Sequence, residues 1–386
     1  MFAAVSVALS LVYIGIILFL RRGLQATMGK EGSGGLTFSV VIAARNEEKN
    51  IGACLASVLD QTIALDRFEV LCVSDRSIDK TVDIANSVAQ RVPNCRVLAV
   101  SETPAGISPK KYAVQQGINQ AHNEIIVFTD ADCRVLPTWL ETLDRSFEPQ
   151  TGLVQGITSY EYIPGMNRVF FGLQALDFCS HAVVSAAAIG VGVPINSNAN
   201  NLAFRKKAFD EAAGYGSDAA IVSGDDDMLL QRVWKKGTWK IRFMADPAGA
   251  VTTQASPTLA AVFEQRKRWG SKTVHYGIFQ VAMLSGVFAF YCAIVALFSA
   301  GFFCPACLAA AGIMMLVKMA GEAVLMIPGT KVMGQTSLRK YLLVASLIQL
   351  PMVIVAVLSG VFGRFAWKDQ KFARKTGAPR KTDSRL

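Results

Sequence analysis

The chain has 386 residues, room for one large soluble domain plus membrane segments, and a formal charge of +10. Hydrophobic residues make up 52% of it and the mean hydropathy is +0.35, too apolar for a wholly soluble protein. With three histidines, and eight cysteines that show no metal spacing beyond an isolated Cys304-Pro-Ala-Cys307, the composition argues against a histidine-built or zinc centre and for reduced, structural thiols.

Residues 2–20 form 19 consecutive positions without a charge, long enough to cross a bilayer as a helix. No Lys or Arg precedes this run, and Arg21 and Arg22 follow it directly. A retained anchor over residues 1–22 is therefore favoured over a cleaved signal peptide, with the N-terminus outside and the soluble middle in the cytosol. Gly32-Ser33-Gly34-Gly35 marks a flexible linker within residues 23–36. From there the pattern alternates. Short runs rich in Val and Ile predict strands over 38–44, 68–73, 96–100 and 124–129, while helical spacing, as at Ile51, Cys54, Leu55, Val58 and Leu59, predicts helices over 47–60, 79–90 and 110–122. Repeated strand–helix units predict a parallel, doubly wound sheet, whose ligands bind beyond the carboxyl ends of the strands.

Polar residues stand at those ends. The first strand runs into Ala44-Arg45-Asn46-Glu47, the second into Ser74-Asp75-Arg76-Ser77, and the fourth into Asp130-Ala131-Asp132. Two carboxylates one residue apart after a buried strand suit a hard divalent ion bridged to phosphates, although a solvated turn would also use Asp. Asp225-Asp226-Asp227 precedes Met228-Leu229-Leu230. Three adjacent acids either cap a helix or supply a general base raised in pKa by its neighbours. Gln265-Arg266-Lys267-Arg268-Trp269 then reads as a membrane-boundary anchor, or as cations for a pyrophosphate with an indole to stack on a sugar.

Three more apolar stretches follow, roughly 277–300, 302–317 (extending toward 327) and 341–363. The tail, residues 364–386, carries eight Lys and Arg against Asp369 and Asp383, a net of +6. It suits anionic headgroups rather than nucleic acid, since no basic-aromatic stripe or recognisable module accompanies it. A basic tail belongs on the cytosolic side, which three crossings after a cytosolic domain would not allow. Residues 302–327, interrupted by Lys318 and Glu322, are thus expected to lie along the interface or re-enter.

Taken together these residues resemble the family-2 inverting glycosyltransferases, including the membrane-embedded members that carry a Q-x-x-R-W motif. Val41-Ile42-Ala43-Ala44-Arg45-Asn46-Glu47-Glu48 is similar to the family's first-strand motif, and Val73 to Thr81 to its V-x-D-x-S-x-D-x-T segment. Ser108-Pro109-Lys110-Lys111-Tyr112-Ala113 resembles G-K-x-x-A-L-N, with Pro109 in place of Gly and Gln115 in place of Asn. Thr129-Asp130-Ala131-Asp132, Asn201-Leu202-Ala203-Phe204-Arg205, Gly224-Asp225-Asp226 and Gln265 to Trp269 complete the series over residues 37–270.

The resemblance implies a GT-A fold, an α/β Rossmann-like domain with a mixed, mostly parallel sheet over residues 37–273, between the anchor and membrane segments over 274–363. It implies a nucleotide-sugar donor, UDP above others, met by Ala43, Arg45, Glu47, Asp75, Lys110, Asp130, Arg266 and Arg268. It further implies Mg²⁺ or Mn²⁺ on Asp130 and Asp132, an acceptor near Asn201, Asp225 and Trp269, and Asp226 as the catalytic base. The expected activity is inverting transfer of one sugar to a lipid-like acceptor at the cell (inner) membrane, among membrane lipids and with the catalytic domain cytoplasmic. A processive polysaccharide synthase with a glycan acceptor is the alternative, and four apolar stretches make a thin channel for it. A non-catalytic scaffold would be expected to have lost some of these acids. A nucleotidyltransferase would carry a glycine-rich loop where Ala43-Ala44-Arg45-Asn46 stands.

Overall fold

The computed structural model describes residues 2–27, 32, 34–216, 219, 224–270, 276–362, 365–367 and 370–372. The chain divides into two compact units, Met1–Met28 with Pro164–Ile195 and Ser256–Gly363, and Gly29–Ile163 with Asn196–Ala255 and Arg364–Leu386. The stretch expected as one run, 37–273, is thus shared between the two. Residues 28–31 and 33 of the expected linker, and most of the expected basic tail, lie outside the described residues.

The second unit holds the sheets. Its strands up to residue 254 are β1 (Phe38–Ala44), β2 (Phe68–Asp75), β3 (Cys95–Val100), β4 (Ile125–Phe128), β5 (Arg134–Val135), β6 (Thr151–Gly156), β7 (Thr158–Glu161), β8 (Leu202–Arg205), β9 (Lys240–Met244) and β10 (Val251–Gln254), and Phe365–Trp367 pairs with Gln370–Phe372 near the C-terminus. Seven of them form one sheet in the order β3-β2-β1-β4-β8-β6-β9, and β5-β10-β7 form a second. Only β8 runs against its neighbours β4 and β6; the other four pairings of the large sheet are parallel, so it is mixed and mostly parallel. The strand side chains alternate between two cores, as period-two geometry requires. Phe38, Val40, Ile42, Val70, Cys72, Ile125 and Val127 join one core, and Val41, Leu71, Val73, Ile126 and Phe128 the other. Runs buried on both faces read as continuous Val and Ile, which is why the strands were legible.

On the chain's way through this unit come helices α2 (Ile51–Leu59), α3 (Thr81–Ala89), α4 (Pro109–Gln120) and α5 (Trp139–Ser146), then α7 (Lys206–Glu211) and α8 (Asp225–Lys236). The first core takes Ile51, Cys54, Leu55 and Val58 of α2 and Trp139 of α5; the second takes Ala113, Val114 and Ile118 of α4 and Leu229, Leu230 and Val233 of α8. Helix α4 lies so close to the sheet that a Cβ on Gly117 would stand 2.4 Å from Cγ1 of Val41. That approach sets where the N-terminus of α4, and with it Lys110, emerges.

The first unit is helical: α1 (Phe2–Ala26), α6 (Arg168–Gly190), α9 (Leu259–Gly270), α10 (Ile278–Ala300), α11 (Pro305–Val332) and α12 (Leu342–Phe362). Five stretches among the described residues are long and apolar enough to cross a membrane: Ala3–Ala26, Arg168–Gly190, Ile278–Ala300, Pro305–Val332 and Thr336–Ser359. The sequence reading identified four of these. Helix α6 escaped it because Gln174, Asp177 and His181 interrupt its apolar run. Helices α1 and α6 meet at Gly23 and Gly190, where a Cβ on Gly23 would stand 1.9 Å from the Ala187 carbonyl oxygen, so only small residues let the backbones approach.

Lys318 and Glu322, expected to break the third apolar stretch, sit inside the continuous 28-residue helix α11. The Lys318 ammonium is fully buried and bonds Glu322 (2.5 Å), the Ser346 carbonyl (2.8 Å) and Oε1 of Gln349 (3.3 Å). Tyr291 and the Ser346 hydroxyl donate to Glu322, and the Tyr291 ring lies 5.0 Å from the ammonium. Residues from α10, α11 and α12 thus satisfy both charges, which do not interrupt the helix.

Candidate active site

The site grows from the strand ends. Because β1 and β2 pair in register, Ala44 against Ser74, the residues that follow them emerge side by side. Asp75 is 5% exposed and is met by two guanidiniums: Arg45 at 3.7 Å and Arg76, whose Nε donates to Oδ1 at 2.8 Å. Asn46 (φ 54°) and Arg76 (φ 52°) both adopt the left-handed region, a cost near 1 kcal/mol or more for a residue with a Cβ. A dense set of bonds holds them there. The Asn46 amide donates to the Ser77 hydroxyl, the Ile78 amide to Oδ1 of Asn46, the Glu47 amide to Oγ1 of Thr81 and the Glu48 amide to Asp79. The second half of the V-x-D-x-S-x-D-x-T segment is therefore scaffolding: Ser77, Asp79 and Thr81 brace the loop after β1 that carries Arg45 and Glu47.

Beyond β4 stand Asp130 and Asp132. Burial, followed by the charges of Asp130 and Glu47, pushes the Asp132 carboxyl up to about 6. Such crowding of like charges is what a cation relieves. Among the described residues no group of three or more His, Cys, Asp or Glu side chains is arranged to enclose a metal ion. Two carboxylates still fit one that takes phosphate and water as its other ligands.

Lys110, two residues beyond Ser108 at the N-cap position of α4, reaches across to these acids. Its Nζ bonds Oδ1 of Asp130 at 2.9 Å and pairs with Oδ2 of Asp225 at 3.2 Å. Burial opposes its charge, but Asp130 and Asp225 override it and hold the ammonium well above its ordinary pKa. One cation thus joins the acids after β4 to those opening α8, segments almost a hundred residues apart.

The three adjacent acids are tolerated for reasons that can be named. They fill the first turn of the 12-residue helix α8, where the helix dipole favours negative charge, behind Gly224 at φ 86°. Asp227, 1% exposed, accepts from the Ser197 amide at 2.6 Å. Asp226, 7% exposed, accepts from the Ala199 amide at 3.0 Å and from the Asp227 amide at 2.8 Å. Asp225 takes Lys110. Buried hydroxyls of this unit without a hydrogen-bond partner among the described residues include Thr103, Ser108, which precedes the Lys110 turn, Thr129, which precedes Asp130, Thr158, Ser197 and Tyr215.

Other expected positions fall elsewhere. Asn201, expected to meet an acceptor, is fully buried and spent on the fold. Its Oδ1 accepts from Nε1 of Trp139 (3.0 Å), and its Nδ2 donates to the carbonyls of Ile157 (2.8 Å) and Gly249 (2.9 Å). Arg266, Arg268 and Trp269 belong to the helical unit. The Arg266 guanidinium, 5% exposed, is committed to Asp177 of α6 (Nε to Oδ2, 2.7 Å), to Oε1 of Gln265 (2.7 Å) and to the Trp269 ring, 4.1 Å away, rather than left for a diphosphate. Phe178 and His181 pack on that indole, with ring centroids at 5.9 and 5.0 Å. Asp177 carried no signal in sequence, because its partner lies 89 residues away.

Comparison with known proteins bears on this geometry. The family described as "Glycosyl transferase family 2" matches residues 39–167, and "Glycosyl transferase family group 2" matches residues 125–361, more than half of the chain. The chain is 34% identical over 103 residues to the glycosyltransferase AglE of Haloferax volcanii, covering 27% of this chain and 33% of that protein. It is 32% identical over 139 residues to the 4,4'-diaponeurosporenoate glycosyltransferase of Staphylococcus aureus, covering 36% and 35%. The matched stretch is about a third of the length of these curated relatives. Among solved structures, the mannosyltransferase PcManGT from Pyrobaculum calidifontis, in complex with GDP-Man and Mn²⁺, has a TM-score of 0.57 at 15% identity. That match covers 94% of this chain and 99% of the other. It shows the shared GT-A fold.

Proposed function

The chain belongs to the family-2 glycosyltransferases, and from that premise we propose that it moves one sugar, with inversion, from a nucleotide-diphosphate donor to a lipid-like acceptor at a membrane. The observation that carries the reading is the Lys110 ammonium, bonded to Asp130 on one side and paired with Asp225 on the other. It draws a phosphate-side pair of acids and a base-side trio into one site.

In this reading Asp75, steadied by Arg45, meets the nucleoside, with Ala43 near the end of β1 and Glu47 in the loop after it. Mg²⁺ or Mn²⁺ would be held by Asp132 with Asp130, and when bound supplies positive charge to the donor diphosphate. Lys110 adds a fixed positive charge beside it. Asp226 takes the proton of the acceptor hydroxyl as that oxygen bonds to the anomeric carbon. The bond from that carbon to the diphosphate breaks, and its electron pair leaves on the nucleoside diphosphate. The amides of Ala199 and Asp227 fix the Asp226 carboxylate, so its orientation is set before substrate arrives. Similarity to a protein named for a discrete acceptor, 4,4'-diaponeurosporenoate, supports a single transfer over polymer growth.

A membrane location is supported by the long apolar helices. Helix α6 would not be one of the crossings. The chain enters it from β7 and is back among the sheet unit's bonds at Ser197, seven residues after Gly190. Seven residues reach about 25 Å at most, short of the ~30 Å hydrocarbon core. Both ends of α6 therefore stay on one side, which we take to be the cytoplasmic one.

The test is a screen of UDP- and GDP-hexoses with membrane lipid extract, using the full chain in detergent and scoring released nucleoside diphosphate and product size. One added sugar per acceptor is expected, and a ladder would move the assignment to a polymerase. Asp226→Asn should cost about 10²–10⁴-fold in turnover while donor binding is retained. Full activity in that variant would place the base elsewhere.

A further inference from the structure

A transferase that works at a membrane still has to be threaded through it, and the helical unit carries marks of how. Helix α6 is the reference. Its short return to Ser197 keeps both ends, and so the whole continuous helix, on the sheet unit's side. Three helices meet that side at one end. Gly23 of α1 lies against Gly190 of α6, Gln280 of α10 donates to the Pro194 carbonyl at 3.2 Å, and Gly329 of α11 lies against Val183 of α6. From those contacts α1 runs back to Phe2 over about 31 Å, α10 on to Ala300 over about 30 Å, and α11 back to Pro305 over about 36 Å. Each is long enough to cross a hydrocarbon core of ~30 Å.

Helix α12 differs, because it meets that side near both ends. Just before it starts, the Tyr341 ring lies against Gly172 of α6 and the Tyr341 hydroxyl donates to the Arg168 carbonyl at 3.2 Å. Toward its other end α12 meets α9, where a Cβ on Gly270 would stand 3.2 Å from the Ala356 carbonyl oxygen. Gly270 follows Trp269, whose ring packs on Phe178 and His181 of α6, and α12 also packs on α6 directly. From Ala356 to the last helical residue, Phe362, α12 has about 9 Å left to run, far short of a crossing. Between the two contacts the Ser346 carbonyl and the Gln349 side chain turn inward to Lys318 of α11. Pro351 stands between Gln349 and Ala356, and a proline inside a helix is a common cause of a bend.

We propose that α12 re-enters the bilayer rather than crossing it. It dips between lipid and the α10–α11 pair, with the exposed side chains of Leu343, Leu347, Ile348, Val355 and Leu358 against acyl chains, and returns to the leaflet it left. The inference rests on the membrane reading above, with the sheet unit in the cytoplasm. The far side then holds the N-terminus and residues 301–304, and none of the chain's 39 Lys and Arg. Lys318 is within the bilayer, and the eight in residues 364–386 stay with the sheet unit, as the positive-inside rule requires. A crossing α12 would put all eight outside. The segment that turns back is thus α12, in place of residues 302–327.

The experiment places single cysteines in the full chain, expressed in the membrane of intact spheroplasts: Ser87→Cys on α3, Phe303→Cys between α10 and α11, and Ser384→Cys in the tail. Cys292, Cys304 and Cys307 are replaced by Ala, and the other five native cysteines are buried. A membrane-impermeant maleimide should label Phe303→Cys from outside and leave Ser87→Cys and Ser384→Cys unlabelled until the membrane is permeabilised. Labelling of Ser384→Cys but not Ser87→Cys in intact spheroplasts shows that α12 crosses; it overturns the inference and leaves the transferase reading standing. Labelling that puts Phe303→Cys on the same side as Ser87→Cys overturns the membrane reading, and this inference with it. Turnover of UDP- and GDP-hexoses by the same chains judges the transferase reading separately: its absence, beside the expected labelling, sinks that reading and not the path of α12.

Discussion

Replacing Lys318 by Met isolates a buried charge among apolar helices. The side-chain volume stays nearly the same, so little cavity is created. What goes is an ammonium whose three protons are spent on Glu322 at 2.5 Å, the Ser346 carbonyl at 2.8 Å and Gln349 at 3.3 Å. Glu322 keeps the hydroxyls of Tyr291 and Ser346 but loses its only counter-charge in this cluster. Removing one partner of a buried pair typically costs about 3–5 kcal/mol, and a lone carboxylate at the centre of a bilayer about 2.5–3.5 kcal/mol on insertion scales. At roughly 2–4 °C per kcal/mol, Lys318→Met should lower the Tm of the detergent-solubilised chain by on the order of 10 °C. The double variant Lys318→Met, Glu322→Met removes both charges and should recover most of that loss. Thermal unfolding followed by circular dichroism measures all three proteins. A single variant as stable as wild type would show that the pair does not fasten the helices. A double variant as poor as the single one would show that packing, not an orphaned charge, is at stake.

Two further outcomes follow from the sheet unit. The Asp132 carboxyl titrates near 6 in the folded protein, against an ordinary value near 4 unfolded. The folded state therefore binds the proton more tightly, and Asp132 destabilises it above about pH 6 but not below about pH 4. Asp132→Asn, free of added metal, should melt a few degrees above wild type at pH 8 and level with it at pH 4; an equal gap at both pH values refutes the charge argument. Asn201→Ala should cost about 3 kcal/mol or more, because it strands Trp139 Nε1 and the carbonyls of Ile157 and Gly249 in the core. A stable variant with only a raised acceptor KM would return Asn201 to the acceptor.

The fold was legible where its causes are local. Short runs rich in Val and Ile placed β1 at residues 38–44, with no error at either end, and placed β2, β3 and β4 to within two residues. Strand ends in a doubly wound sheet are where ligands bind, so Asp75, Asp130 and Asp132 could be chosen from pattern alone. Helix α6 was not legible, because its polar residues dilute the apolar signal and their partners Arg266 and Trp269 lie on α9. The same limit applied to the roles. Asn201 and Arg266 were read from motif position as substrate contacts, yet both have their polar atoms occupied by distant parts of the chain.

By itself, then, the sequence determined the first four strands with the helices between them, four of the five long apolar segments and which acids stand at strand ends. Each of these depends on a few neighbouring residues and their periodicity. Tertiary structure alone decided which distant charges meet: Lys110 with Asp130 and Asp225, and Arg266 with Asp177. A charged or polar side chain takes its role from whatever long-range packing brings within about 3 Å of it, and no local pattern encodes that partner.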